Sequence, residues 1–212
     1  MIEYHKIETI FERDMEGSKK LIEGKFRNEC VEYLKDNQWI FTEKIDGTNI
    51  RICWDGHKVN IGGRTDNAQL PGDLVQYLHD LFMTNEAEQL FEQKFGATEV
   101  HLFGEGYGGK IQGGGAYSKE KKFIMFDVMV GSTFLQRENI IEIATAFNVG
   151  VVPVALEGTI QQAIDYIKTK PNSIITSEVK EMEGVVGVPK ARLNDFRGNR
   201  VIVKIKVCDF TN

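Results

Sequence analysis

The sequence predicts an α+β fold with a large share of antiparallel sheet. Segments that alternate with period two outnumber helical ones, and several of them are neighbours in the chain. Tight-turn dipeptides such as Asp46-Gly47 and Asp55-Gly56 join adjacent ones. No internal repeat or low-complexity linker interrupts the 212 residues, which points to a single domain spanning 1–212.

Taken in order, residues 18–36 carry apolar side chains at rough helical spacing (Leu21, Phe26, Cys30, Val31, Leu34) and predict a helix. The period then changes to two. Trp39, Phe41, Glu43 and Ile45 fall on one side of a strand and Ile40, Thr42 and Lys44 on the other. After the turn at Asp46-Gly47, Ile50, Ile52 and Trp54 alternate with Asn49, Arg51 and Cys53, and a second turn at Asp55-Gly56 leads into Val59–Gly63. Helices are expected at 73–83 and 86–95, the second capped by Asn85 with Glu88. Strands follow at 99–104, 123–130, 150–155, 183–188 and 200–208. Helices are expected at 138–147 and at 159–168, where Thr159 and Gln162 form a capping box.

Composition excludes several classes. With 42% hydrophobic residues the chain can bury a continuous core, and its net charge of -5 argues against a uniformly basic nucleic-acid coat. Charge is unevenly placed, however. Lys190 to Lys206 holds six basic residues against Asp195, a segment charge of +5 that leaves -10 for the remainder and suits a local anion site. Cys30, Cys53 and Cys208 are far apart, and the four histidines are isolated, so spacing offers no zinc knuckle or redox pair. Reduced thiols in a cytoplasmic protein are expected. The first residues lack a signal-peptide pattern, and the longest apolar stretch, Val149–Leu156, is too short to span a bilayer.

Candidate chemistry begins at Glu43-Lys44-Ile45-Asp46-Gly47-Thr48-Asn49. A lysine at a strand end beside a sharp turn is a rigid platform for a nucleophile, and an amine attacks only when neutral, a form favoured by burial or nearby positive charge. The alternative is a hairpin with an exposed lysine. In Val201–Cys208, Val201, Val203, Ile205 and Val207 make one apolar face while Lys204 and Lys206 share the other, about 7 Å apart along a strand. That pair can clamp phosphate oxygens; the alternative is an edge strand guarded by lysines. Glu183, at the start of an apolar strand, can hold a divalent cation or its water, or sit on the surface. Phe126, within Phe123–Val128, can stack on a base or belong to the core.

The glycine-rich run Gly104–Gly115 contains both G-x-G-x-x-G and G-x-x-x-x-G-K, yet neither reading holds. Ile111 stands where a hydroxyl would bind magnesium, and Gly113-Gly114-Gly115 would break the required helix. A flexible loop carrying Glu105 towards a ligand is expected instead.

Together these segments resemble the covalent (lysyl-AMP) nucleotidyltransferase superfamily, most closely its ATP-dependent RNA ligase branch. Lys44-Ile45-Asp46-Gly47-Thr48-Asn49 resembles the nucleophile motif, Gly63-Arg64-Thr65 the arginine motif and Phe103-Gly104-Glu105 the ribose-binding strand. Phe126-Asp127 resembles the base-stacking motif, Glu183-Gly184 the metal-proximal motif and Lys204-Ile205-Lys206 the terminal lysine pair. The six occur in the family's order between about residue 40 and 206. The resemblance implies an ATP-grasp-like adenylation domain of mostly antiparallel sheets with flanking helices. It implies ATP and Mg2+ or Mn2+ as cofactors, and sealing of 5′-phosphate and 3′-hydroxyl ends through a lysyl-AMP and an adenylated 5′ end. Lys44 would carry AMP, Lys204 and Lys206 would hold the α-phosphate, and Glu183, with Asp127 as a further candidate, would support the metal. Glu105 would bind ribose, Phe126 would stack on adenine, Glu43 would lie along the adenine edge, Arg64 would contact phosphate or ribose, and Ile45 and Asn49 complete the ATP-binding set.

Departures from the family pattern matter. Asn49 stands where DNA ligases and capping enzymes usually carry arginine, which favours the RNA ligase branch. Val188 precedes Pro189 where relatives often place a basic residue; Lys190 is a substitute. Six residues follow Lys206, so little or no C-terminal accessory domain is expected, and a protein partner can supply the substrate grip. The competing readings are a GTP-using capping-type guanylyltransferase, a DNA ligase, and a non-catalytic nucleotide- or RNA-end-binding module.

Overall fold

The computed structural model describes residues 1–112, 114–176 and 178–210. In chain order the elements are β1 (Glu8–Thr9), β2 (Phe11–Arg13), β3 (Leu21–Phe26), α1 (Glu29–Tyr33), β4 (Trp39–Lys44), β5 (Thr48–Trp54), β6 (Val59–Gly62), α2 (Gly72–Phe82) and α3 (Asn85–Phe95). They continue with β7 (Val100–Tyr107), β8 (Lys122–Val130), β9 (Thr133–Phe134), α4 (Arg137–Ala146), β10 (Gly150–Val151), β11 (Val154–Gly158), α5 (Ile160–Lys168), β12 (Gly184–Pro189) and β13 (Val203–Lys206). The α+β class with antiparallel sheets is present. Pairings are antiparallel except β1 with β13 and β10 with β8.

The chain forms two compact units, crossing between them after His5, Ile45 and Val152. The first, residues 1–5 and 46–152, holds the sheet β10-β8-β7-β5-β6, with β9 paired to β8. Ile50, Ile52, Trp54, Val100, Leu102 and Val128 of that sheet pack with Leu74, Leu78 and Phe82 of α2, Phe91 of α3 and Ile140 of α4. The second, residues 6–45 and 153–212, holds the sheet β1-β13-β12-β4-β11. Its core joins Trp39, Phe41, Val185, Val203 and Ile205 to Ile160, Ala163, Ile164 and Ile167 of α5. Among the described residues no helix is long and apolar enough to cross a membrane.

Several sequence expectations need correction. Residues 18–36 are not one helix: Leu21–Phe26 is a strand paired with β2, and only Glu29–Tyr33 is helical. Gly24 at φ 84 cannot continue a helix cheaply, Phe26 packs edge-on to Phe11, and Asn28 caps the short helix by accepting from Cys30 and Val31 N–H. The cap of α3 is Thr84, which accepts from Ala87 N–H, while Glu88 turns to accept from Val59 N–H. The apolar run at 150–155 splits at Val152–Pro153 into β10 and β11, which belong to different sheets. The capping box at Thr159 and Gln162 is as expected.

Glu105 lies within β7 rather than on a flexible loop. Its neighbouring glycines are required by packing. A Cβ at Gly104 would enter the Phe123 ring, and one at Gly106 would sit 2.7 Å from Leu74. Of the later glycines, Gly113 lies outside the described residues, and Gly114–Ala116 form a single 3-10 turn.

Candidate active site

In the second unit the row of candidate lysines follows from strand alternation. Along β4, Trp39, Phe41 and Glu43 are buried while Ile40, Thr42 and Lys44 are only partly so. β12 lies between β4 and β13, and its register sets Gly184 level with Lys44 on one side and Lys206 on the other. One step along, Val186 is level with Thr42 and Lys204. Residues level with one another point to one face, so the three lysines share a face. Gly184 leaves the space between Lys44 and Lys206 open, and a Cβ there would also lie 2.7 Å from the Lys206 Cα.

Glu183 fills that gap. Its Oε2 accepts from Lys44 Nζ at 2.6 Å and its Oε1 from Lys206 Nζ at 2.8 Å, with all three side chains at most 30% exposed. Such short charge-assisted contacts fix the geometry of both lysines. Lys204 has no acidic partner within ion-pair distance among the described residues. Burial, and then the charges of Lys44 and Lys206, push its pKa below the usual lysine value. For Lys206 burial acts the same way, but the hydrogen bond and charge of Glu183 outweigh it, and the net pKa is raised. β13 is an interior strand, flanked by β1 and β12, which removes the reading of lysines guarding an edge.

Glu43 requires a correction. It is 1% exposed, on the strand face opposite Lys44, where its Oε1 accepts from Ser173 Oγ at 2.5 Å and its Oε2 from Ile174 N–H at 2.8 Å. Alternation points the residue before the partly exposed Lys44 inward, and the 171–182 segment donates one hydrogen bond to each of its oxygens, on the face away from the lysine row. Ile45 is buried at 3%.

In the first unit the candidate residues lie on β5, β7 and β8. Asn49 is level with Glu105, which is level with Ile124. The Asn49 Oδ1 is buried and has no hydrogen-bond partner. Gly47 explains itself: a Cβ there would meet the Gly106 carbonyl oxygen and lie 2.8 Å from Glu105 Cγ. The glycine of the lysine motif thus lets the Glu105 stem pass. Asp46 N–H donates to Tyr117 Oη at 3.3 Å and anchors the turn.

Phe126 is placed by an irregularity. Phe103 pairs with Asp127 and Gly104 with Met125, so Phe126 is the extra residue of a β-bulge. It is half-buried between the buried Met125 and Asp127, and the Tyr4 ring meets it edge-on at 5.0 Å. Asp127 does not fit a metal role: it is 2% exposed, and Oδ2 accepts from the Tyr4 hydroxyl at 2.8 Å. Arg64 is exposed, on a loop held from below by Arg51.

Arg51 and Tyr4 lie outside the motifs that the sequence singles out. The 0%-exposed Arg51 guanidinium donates to the carbonyls of Gly63, Met1 and Ile2 and to Asp66 Oδ1 at 2.9 Å, fixing both ends of the Arg64 turn. The only sequence signal was a charged residue between Ile50 and Ile52. The first unit also carries an open cavity of about 950 Å3 bordering Thr48 and lined by Lys110, Lys119, Lys121 and Lys122 with Asp73 and Tyr77.

Comparison with known proteins gives a family and a fold. A family model described as RNA ligase matches residues 37–206. Among solved structures, a Naegleria gruberi RNA ligase mutant with ATP and Mn is 17% identical with a TM-score of 0.67, over 97% of this chain and 56% of that one. An apo mutant of the same ligase gives 17% and 0.67, over 99% and 57%. That ligase with PPi gives 18% and 0.63, over 84% and 52%. The chain thus spans a little over half the length of these ligases, and at such identity the likeness is one of fold. No curated protein sequence matches.

Proposed function

The chain belongs to the RNA ligase family, and we propose that it is an ATP-dependent RNA ligase acting through Lys44, with residues 1–212 forming one ATP-grasp-like adenylation domain. The observation that carries this reading is the Glu183 carboxylate held between the Lys44 and Lys206 ammonium groups, at 2.6 and 2.8 Å.

In the first step Lys44 sheds a proton to solvent, and its Nζ attacks the α-phosphorus of ATP. The bond to pyrophosphate breaks, pyrophosphate leaves with the electron pair, and a lysyl-AMP phosphoramide forms. A 5′-phosphate oxygen of an RNA end then displaces Lys44, and a 3′-hydroxyl displaces AMP to close the strand. Lys204 and Lys206 hold the α-phosphate oxygens, and each neutralises charge that grows as the P–O bond breaks. Glu105 binds the ribose, Asn49 Oδ1 takes a donor from the nucleotide or the RNA end, Phe126 stacks on adenine and Arg64 contacts phosphate or ribose.

A divalent cation fits Glu183. Hard Mg2+ or Mn2+ is bound by one or two carboxylates together with substrate phosphates, and Glu183 frees an oxygen as Lys44 loses its proton. When bound, the ion neutralises phosphate charge. The lysine-lined cavity beside Thr48 suits the backbone of the RNA strand, and a protein partner can add to that grip. The three free cysteines fit a cytoplasmic protein.

Incubation with α-labelled ATP and Mg2+ or Mn2+ should leave label on the denatured chain that alkali spares and acid releases, as expected of a P–N bond. The label is absent in Lys44→Ala. Label surviving that substitution, or preferential labelling by GTP, overturns the reading; the latter favours a guanylyltransferase. ATP binding without any adduct favours a binding module, and equal sealing of DNA ends would remove the RNA preference.

A further inference from the structure

Sequence spacing offers no metal knuckle, yet the fold of the first unit brings three metal-ligating side chains together. Cys53 and His101 are level with each other on β5 and β7, and Glu99 precedes His101 by two residues, on the same face. That face is turned away from the sheet's apolar core, since Ile52, Trp54, Val100 and Leu102 point the other way. Each of the three residues brings one ligand atom within 4.8 Å of the other two. Tetrahedral zinc bonds of about 2.0–2.3 Å set its ligands roughly 3.3–3.8 Å apart, so small side-chain rotations close the site. The His101 Nε2 to Glu99 Oε1 distance is already 3.3 Å.

Protons alone serve this cluster poorly. Nε2 of His101 accepts from Ile2 N–H at 3.2 Å while an electron-rich Glu99 oxygen lies beside it, and Nδ1 is buried with no hydrogen-bond partner. Moving the ring proton to Nε2 suits Glu99 but sets that proton against the Ile2 N–H. Either tautomer leaves a buried conflict in a side chain that is 0% exposed. A divalent cation removes it by taking lone pairs from sulfur, nitrogen and oxygen together. The charges also balance: a Cys53 thiolate and the Glu99 carboxylate cancel the two positive charges of the ion, which limits the desolvation cost at a buried site.

We propose that Cys53, His101 and Glu99 form a binding site for one zinc-like divalent cation, separate from the ATP-linked magnesium or manganese. The mixed sulfur, nitrogen and oxygen donor set selects a borderline-soft ion over Mg2+ or Ca2+. Binding releases the Cys53 thiol proton to solvent and forms a metal–thiolate bond; no oxidation or reduction takes place. Glu99, half exposed, gives the ion its way in, and a water completes four-coordination. The site staples β5 to β7 at the end of both strands remote from Lys44's turn, beside the N-terminal residues that cover His101.

Titration of the metal-depleted chain with Co2+, a coloured stand-in for Zn2+, tests this. The expected result is one equivalent bound, with a thiolate-to-cobalt charge-transfer band that Zn2+ abolishes and excess Mg2+ does not. Cys53→Ser should remove the band. Glu99→Gln, conservative and partly exposed, should keep the fold and weaken Zn2+ binding at least tenfold. Zn2+ should also raise the Tm of the parent chain and leave that of Cys53→Ser unmoved. No band with the parent chain, or an unchanged band and Tm shift in Cys53→Ser, overturns the proposal. Lysyl-AMP formation with Mg2+ does not depend on this site, so failure of either proposal is read independently of the other.

Discussion

The two units place their candidate residues in different ways. The lysine row of the second unit is regular. Three neighbouring strands in unbroken register set Lys44, Gly184 and Lys206 side by side, and one carboxylate bridges the two ammonium groups. The candidate nucleotide side of the first unit depends on exceptions: a bulge at Phe126, side-chain-free positions at Gly47, Gly104 and Gly106, and the buried Arg51 under the Arg64 turn. Regular register delivers charges at fixed spacing, which phosphate handling requires. Departures from register aim single side chains, as a shaped base and ribose site requires.

That contrast can be broken at its centre first. Glu183→Gln keeps the shape but removes the charge between two ammonium groups, and lysyl-AMP formation should fall about 100-fold, or roughly 2.7 kcal/mol of barrier. An unchanged single-turnover rate would show that the bridge does not organise the lysines. Next, Gly47→Ala should cost about 2 kcal/mol of stability, because the added methyl meets backbone as well as the Glu105 stem. Chemical denaturation measures it, and a neutral result would mean that the turn has room the geometry denies. Phe126→Leu keeps the bulge but loses the aromatic face, so KM for ATP should rise about fivefold, near 1 kcal/mol, with little change in stability.

The smallest effect is one of pH. Lys204 is pushed down in pKa and Lys206 is raised, so as pH rises Lys204 loses its proton first, below the ordinary lysine value. ATP affinity should therefore weaken on the alkaline side in a limb that Lys204→Met lacks. The Lys206–Glu183 contact contributes stability below the ordinary lysine pKa, and that stability is lost only as pH passes above the raised value. If Lys204→Met retains the same limb, the lysine row is not what titrates.

The regular half was legible in the sequence because alternation is a local property. Val201, Val203, Ile205 and Val207 against Lys204 and Lys206, or Glu43 against Lys44, can be assigned to faces without knowing any partner strand. The same rule carried a correction within it, since the face that presents Lys44 sends Glu43 inward to Ser173 and Ile174. The helix expected at 18–36 failed because its apolar spacing also suits a hairpin, and contact between Phe26 and Phe11 decided between them. Glycines mark flexibility in sequence and so suggest a loop around Glu105, whereas Gly104 and Gly106 admit a phenylalanine ring and a leucine.

The sequence by itself determined the class of fold, the order of the six motifs and the faces on which the lysines lie, since period and order are written along the chain. Only the tertiary structure decided that Glu183 joins Lys44 to Lys206, that Phe126 bulges, and that Cys53 meets His101 forty-eight residues away. Those outcomes depend on which strands pair and in what register. Register is set by how whole faces bury against helices, a global property that no local spacing encodes.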